Sequence, residues 1–295
     1  MSGALVAQLA AIVAPIFIAA GIGFAWARSG RGYDGIFVRR VVMNIGTPCL
    51  IVSTIGRAEV ATEVLLTSVL ACWLVVALTM TTFALVLRLA GLDQRVFLPP
   101  LVFANAGNMG LPLALFAFGA EGLALALGFF VANTMAHFTV GIYVTAGRAK
   151  VGEMLRTPIL WAAFVALFVQ LSGVSFPVWL DNTLELIGGI TIPLMLITLG
   201  VSLASIRVAT LGRTTLLALL RLGGGVAAGW LVATVLGLEG VARAVVILQS
   251  AMPAAVFNVL LAQQFGRAPA EVAGLVVVST ALSFLTLPLL LWWLL

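Results

Sequence analysis

Long apolar runs, broken at intervals by short clusters of charge or glycine, make up most of this chain. Each run is too long for a strand, and long enough for a helix that crosses a bilayer, which takes about 20 apolar residues. Breaking the sequence at the polar clusters predicts ten helices, over 4–27, 35–56, 63–89, 94–119, 120–146, 158–175, 178–204, 211–237, 240–265 and 268–295. The first run has no basic residue before Arg28. A signal peptide opens on positive charge, so this run is expected to be a retained helix. The brief connections make successive helices antiparallel neighbours in a compact bundle.

Composition strengthens this picture. Of 295 residues, 63% are apolar and only 8% charged, and the mean hydropathy is +1.22. An average soluble domain is about a quarter charged, so there is too little charge here to clothe a soluble exterior. The net charge of +5 does not point to nucleic acid, because the basic residues sort by connection. One side carries Arg28, Arg31, Arg39, Arg40, Arg88, Arg95, Arg148, Lys150, Arg156, Arg207, Arg213 and Arg267; the other has Arg57 and Arg243, and Arg221 lies inside a span. Basic connections stay cytoplasmic. Both termini are therefore expected on the extracytoplasmic side, together with Glu59, Glu63, Glu121, Asp181, Glu185 and Glu239. Cys49 and Cys72 fall within apolar runs and read as small buried hydrophobes.

The two halves echo each other at a shift of about 146 residues. Ile45-Gly46-Thr47-Pro48 resembles Ile190-Thr191-Ile192-Pro193, and Gly91-Leu92-Asp93 resembles Gly237-Leu238-Glu239. Asn133-Thr134 and Phe138 likewise match Ser279-Thr280 and Phe284. Five helices is an odd number, so a second copy enters the membrane from the opposite face. The expected architecture is two inverted five-helix repeats, 1–147 and 148–295, an arrangement common among carriers.

The fourth predicted helix contains Asn105-Ala106-Gly107-Asn108-Met109-Gly110-Leu111-Pro112, and at the repeat shift the ninth offers Gln249, Ser250, Met252-Pro253 and Asn258. Proline removes a backbone donor and clashes with the preceding turn, costing about 3 kcal/mol inside a helix. Both helices are thus expected to break at matching depth. Unwound backbone at mid-membrane survives only within protein or beside a watery cavity, and paired interruptions point to a binding site. The candidate substrate-binding residues are Asn105, Asn108, Met109, Pro112, Gln249, Met252, Pro253 and Asn258. Asn133, His137 and Arg221 are candidates for coupling or for lining the path. Asn44 is expected to hydrogen-bond between helices.

The chemistry of these positions favours an anion. All ten acidic residues map to loops or span ends, whereas sodium and metal sites usually want carboxylate oxygens. Amide side chains and the N-termini of half-helices instead offer donors and partial positive charge. No cofactor or metal is expected. An intramembrane protease would need paired aspartates or a serine with histidine at depth; no aspartate pair is present, and no Gly-x-Ser-x-Gly precedes the lone His137.

These motifs resemble the auxin efflux carrier family, which includes the plant PIN proteins and bacterial malate or malonate permeases. The likeness covers essentially the whole chain. It runs through Pro15, Pro48, Asn105 with Met109-Gly110-Leu111-Pro112, Pro158, Pro193-Leu194 to Gly200, Gln249 with Met252-Pro253, and Ser279-Thr280 to Leu287-Pro288. The resemblance implies an NhaA- or bile-acid-transporter-like fold in a bacterial inner membrane. In it, helices 1, 2, 6 and 7 form a scaffold, helices 3–5 and 8–10 form a moving domain, and helices 4 and 9 cross at the substrate. It further implies Asn105 as the crossover asparagine, homodimers through the scaffold, and small organic acids as cargo. The chain departs from the PIN proteins in its short connection near 147–157 and in lacking an acid buried in helix 3. The expected function is efflux of small carboxylates by elevator-like alternating access, without enzymatic activity; the alternative is a sodium-coupled organic-anion symporter. With Cys49→Ala and Cys72→Ala as background, a membrane-impermeant maleimide should label Ser175→Cys on intact cells, and Gly30→Cys only after permeabilisation. The reverse pattern would invert the topology.

Overall fold

The computed structural model describes residues 3–58, 60–147, 152, 155–205 and 211–295. Glu59, Arg148, Lys150 and Arg207, which contribute to the charge asymmetry, lie outside the described residues. Among the described residues the regular structure is helical, apart from one isolated antiparallel bridge between Ala104 and Ala254. Helix α1 spans Gly3–Arg28, α2 Gly35–Ile55, α3 Thr62–Leu89 and α4 Gln94–Val102. Then follow α5 at Ala106–Ala146, α6 at Pro158–Ser172, α7 at Val178–Ala204 and α8 at Leu211–Val235. The chain ends with α9 at Gly240–Ser250, α10 at Phe257–Gln264 and α11 at Pro269–Leu294. Seven of these helices are long and apolar enough to cross a membrane. The protein is a multi-pass membrane protein.

Local chemistry sets several boundaries. The Asp34 carboxylate caps α2, accepting from the backbone N–H groups of Ile36 at 3.0 Å and Phe37 at 2.9 Å, which would otherwise lack partners in the first turn. Helix α6 stops where Gly173 turns left-handed, at φ 66°. The 41 residues of α5 would measure about 60 Å if straight, twice the hydrocarbon thickness of about 30 Å. Gly119 resolves the mismatch. Its φ of 66° and ψ of −154° bend the element into two limbs, so that the Asn133 amide returns to donate to the carbonyl of Ala104 at 3.3 Å. The second limb is also tied to α3, where the buried Ser68 hydroxyl donates to the Leu125 carbonyl at 2.7 Å.

Small residues bring other backbones together. Helices α1 and α7 meet with Gly23 against the Ile197 carbonyl and Gly200 against the Ala20 carbonyl. A Cβ at either glycine would overlap backbone oxygen, which no rotamer change relieves. Overpacking of this kind typically costs about 1–3 kcal/mol. Gly200→Val should therefore lower the thermal midpoint in detergent by several degrees, whereas Gly212→Val, where a Cβ meets nothing within 4 Å, should leave it nearly unchanged.

Candidate functional site

The break between α4 and α5 and the break between α9 and α10 meet one another. Phe103 is extended, at φ −86° and ψ 110°, and Ala104 pairs antiparallel with Ala254. Across this crossing the N–H of Asn105 donates to Pro253 O at 2.8 Å, and the N–H of Ala255 donates to Phe103 O at 3.1 Å. The N–H of Ala254 finds the Ser279 hydroxyl of α11 at 3.2 Å. Backbone groups released by the two breaks are thus satisfied by each other and by the side chains of Asn133, Asn258 and Ser279.

Side chains brace the same point. The Asn258 amide nitrogen donates to Ala255 O at 3.0 Å and Phe103 O at 3.4 Å, and its oxygen faces His137 Nε2 at 2.9 Å. His137 stacks on Phe103, with ring centroids 4.3 Å apart and planes 7° from parallel, and meets Phe257 edge-on at 5.1 Å. This histidine, from the second limb of α5, ties one broken helix to the other.

Beside the crossing lies a cavity of about 350 Å³. Of the residues singled out from sequence, Asn105, Asn108, Asn133 and His137 line it. Asn258 stands behind that wall with its amide already engaged, and Met109, Met252 and Gln249 are buried in the packing around the crossing. The Gln249 carboxamide sits against Gly110, and neither of its polar atoms has a partner. Arg221 is not in the cavity wall; it is buried and donates to Ser250 O at 3.0 Å. Asn44 is exposed in the wall, not part of an interhelical hydrogen bond.

Sequence reasoning missed the cavity's charge. Among the described residues, Arg39, Arg40 and Arg156 line it, no Asp or Glu does, and Thr198 and Ser202 of α7 add hydroxyls. In the sequence those arginines mark only the topology at span ends. Three π-helical turns also border the cavity, Val42–Gly46, Ala106–Gly110 and His137–Gly141. Such turns recur at functional sites because they set side chains and carbonyls out of α register.

Residues 148–291 match a family of proteins described as membrane transport protein. An uncharacterized transporter of Methanothermobacter thermautotrophicus is 29% identical over 275 residues, 87% of this chain and 88% of the relative. These likenesses support a membrane transporter. A second uncharacterized transporter of the same kind, from Methanocaldococcus jannaschii, is 25% identical over 202 residues, 65% of each chain. The matched region of this transporter contains the whole of the second break, Ala251–Val256.

Removing the brace should loosen this transporter. Asn258→Leu would leave His137 Nε2 and the Phe103 carbonyl short of a partner inside protein, a loss of about 1–3 kcal/mol for a buried polar group. The expected outcome is a lower thermal midpoint in detergent; an unchanged midpoint would show that Asn258 does not brace the crossing.

Proposed function

We propose that this transporter moves small organic anions, carboxylates, out of the cell by elevator-like alternating access. The observation that carries this reading is the Asn105 side chain. Its amide nitrogen is buried without a hydrogen-bond partner, in the wall of a cavity lined, among the described residues, by three arginines and no carboxylate. A carboxylate accepts hydrogen bonds from amides and is attracted by guanidinium groups. Asn108 lies in the first turn of α5, where backbone N–H groups lack intrahelical partners and the helix end is partly positive. Asn105 and Asn108 are the donors of this reading, while Asn258, Met109, Pro112, Gln249, Met252 and Pro253 hold the crossing in shape.

Two groups of helices support movement. Tyr33 meets Thr198 at 2.6 Å, Arg57 pairs with Asp181 at 3.1 Å and Glu185 at 3.0 Å, and Gln170 donates to Val60 O at 2.7 Å. These links join α1, α2, α6 and α7 with their adjoining loops. Arg213 pairs with Glu271, Arg267 donates to Thr145 O at 3.1 Å, and the crossing itself joins α4, α5, α9 and α10. Between the groups lies apolar contact such as Phe17 of α1 edge-on to Phe284 of α11, at 4.5 Å. The cavity opens along this same boundary, with Met195 on one wall and Phe130 on the other. The ten-span arrangement in two inverted halves, with both termini outside a bacterial plasma membrane, belongs to the same proposal. Support comes from the seven long helices, the two limbs of α5 and the antiparallel meeting of the breaks.

The inside-negative potential favours exit of an anion by about 2.3 kcal/mol per charge per 100 mV, so export needs no coupling ion. Proteoliposomes loaded with labelled lactate, benzoate or malonate should release at least one of them faster when the interior is made negative, with no dependence on sodium. Asn105→Ala should cut that efflux at least tenfold while the protein's thermal midpoint stays within a few degrees. Absence of any efflux from the wild type would overturn the reading, and strict sodium dependence would favour the symporter.

A further inference from the structure

Arg221 lies within α8 with 1% of its surface exposed, and it heads the fully buried side chains by volume. Among the described residues it is the only buried side chain with a permanent charge, since guanidinium stays protonated in proteins. Nη2 donates to Ser250 O at 3.0 Å, while Nε and Nη1 have no partner. The ion pairs between described residues engage Arg57 and Arg213, not Arg221. A charge this deep without a counter-charge is costly, so its place calls for an explanation.

Its one partner supplies part of that explanation. Ser250 is the last residue of α9, the half-helix that ends at the crossing. The carbonyl end of a helix carries about half a negative charge, and the guanidinium meets it. Helix α8 is shaped for the contact: a Cβ at Gly225 would overlap the Ser250 carbonyl, and one at Gly229 would lie 2.8 Å from Ser250 Cβ. Hence the spacing Arg221-x-x-x-Gly225-x-x-x-Gly229 serves the broken end of α9. The other broken end, at Phe103, is met only by neutral donors from Ala255 and Asn258. The residue one repeat earlier than Arg221 is Val75. The crossing is therefore electrically lopsided, with one full positive charge on the group that contains α8 and α9.

We propose that Arg221 is the counter-charge that travels with the cargo. The inference rests on the anion-carrier reading given above. A bound monoanion brings the crossing close to neutral, and an empty site leaves it positive. The other charged residues of α3, α4, α5, α8, α9 and α11 lie toward helix ends or, for Glu121, beside the Gly119 bend of α5, and cross less of the field. The membrane potential then acts mainly on the return of the empty carrier and little on the loaded step. The net charge moved per cycle is unchanged, one negative charge outward. What changes is which half of the cycle responds to voltage.

The test compares exchange with net efflux in proteoliposomes, at pH 8 where an ordinary imidazole of pKa ~6.5 is neutral. The probe is labelled lactate or benzoate, saturating on both faces for exchange, with potassium and valinomycin setting zero or about −100 mV. Wild-type exchange should change less than twofold between the two potentials, while net efflux rises several-fold. Arg221→Met removes the counter-charge, and its exchange should become voltage-dependent, by roughly sevenfold if half the field lies before the barrier. Arg221→Lys keeps the charge and should retain voltage-insensitive exchange. Wild-type exchange that follows voltage as steeply as net efflux would overturn the inference and leave the carrier reading standing, even if Arg221→Met fails to fold. Absence of both exchange and efflux of lactate and benzoate from the wild type would overturn the carrier reading of monoanions, and this inference with it.

Discussion

Inside a bilayer no water stands ready to satisfy a backbone N–H or C=O that leaves its helix, and each orphaned group costs several kcal/mol. Two helices of this transporter are nevertheless unwound, at Phe103–Asn105 and at Ala251–Val256. The structure meets the constraint by letting the breaks serve each other: Asn105 donates to Pro253, and Ala255 donates to Phe103. Either break alone would be expensive, and together they are largely satisfied. The remaining features follow from keeping that meeting point intact, from the Gly119 bend that returns Asn133 to Ala104 to the histidine that leans on Asn258 and Phe103.

Satisfying the backbone there leaves the surroundings electrically unbalanced. Among the described residues the cavity wall holds arginines and amides but no acid, and a further guanidinium sits behind it against the end of α9. In the proposed function an anion is the guest that such a place accepts at least cost, because it supplies the acceptors that the buried Asn105 amide lacks. Packing and electrostatics thus converge on one chemistry from separate residues.

Much of this was legible in the chain itself. Apolar run length gave helices close to those observed, and the cluster of glycines, amides and a proline at 105–112 marked the first break, which falls at its leading edge, Phe103–Asn105, with Ala106–Pro112 already helical. Ala251–Val256 was harder to read, since Pro253 alone interrupts an otherwise ordinary apolar stretch and only its match to the first break raised it. Side-chain roles were less visible. Asn105 and Asn258 are the same residue type near equivalent breaks, yet one amide is free and the other is spent on Phe103 and Ala255. That difference is set by which carbonyl lies within reach. Arg39, Arg40 and Arg156 read as markers of the cytoplasmic side, because nothing in one-dimensional spacing shows that two separate span ends converge on one cavity. Gly225-x-x-x-Gly229 suggested only close helix approach, and its specific purpose needed the Ser250 carbonyl in place.

In the proposed elevator-like movement, the apolar boundary between the two groups of helices has a kinetic meaning. Dispersion contacts carry no direction and no partner list, so one greasy surface sliding past another exchanges old neighbours for new at nearly equal energy. A seam of hydrogen bonds would behave like a toothed rack, with each step requiring several bonds to open at once. The Phe17–Phe284 contact is closer to a smooth bearing with a shallow detent. Resting positions on such a bearing are set by what fills the cavity and by the field across the membrane, not by the seam itself.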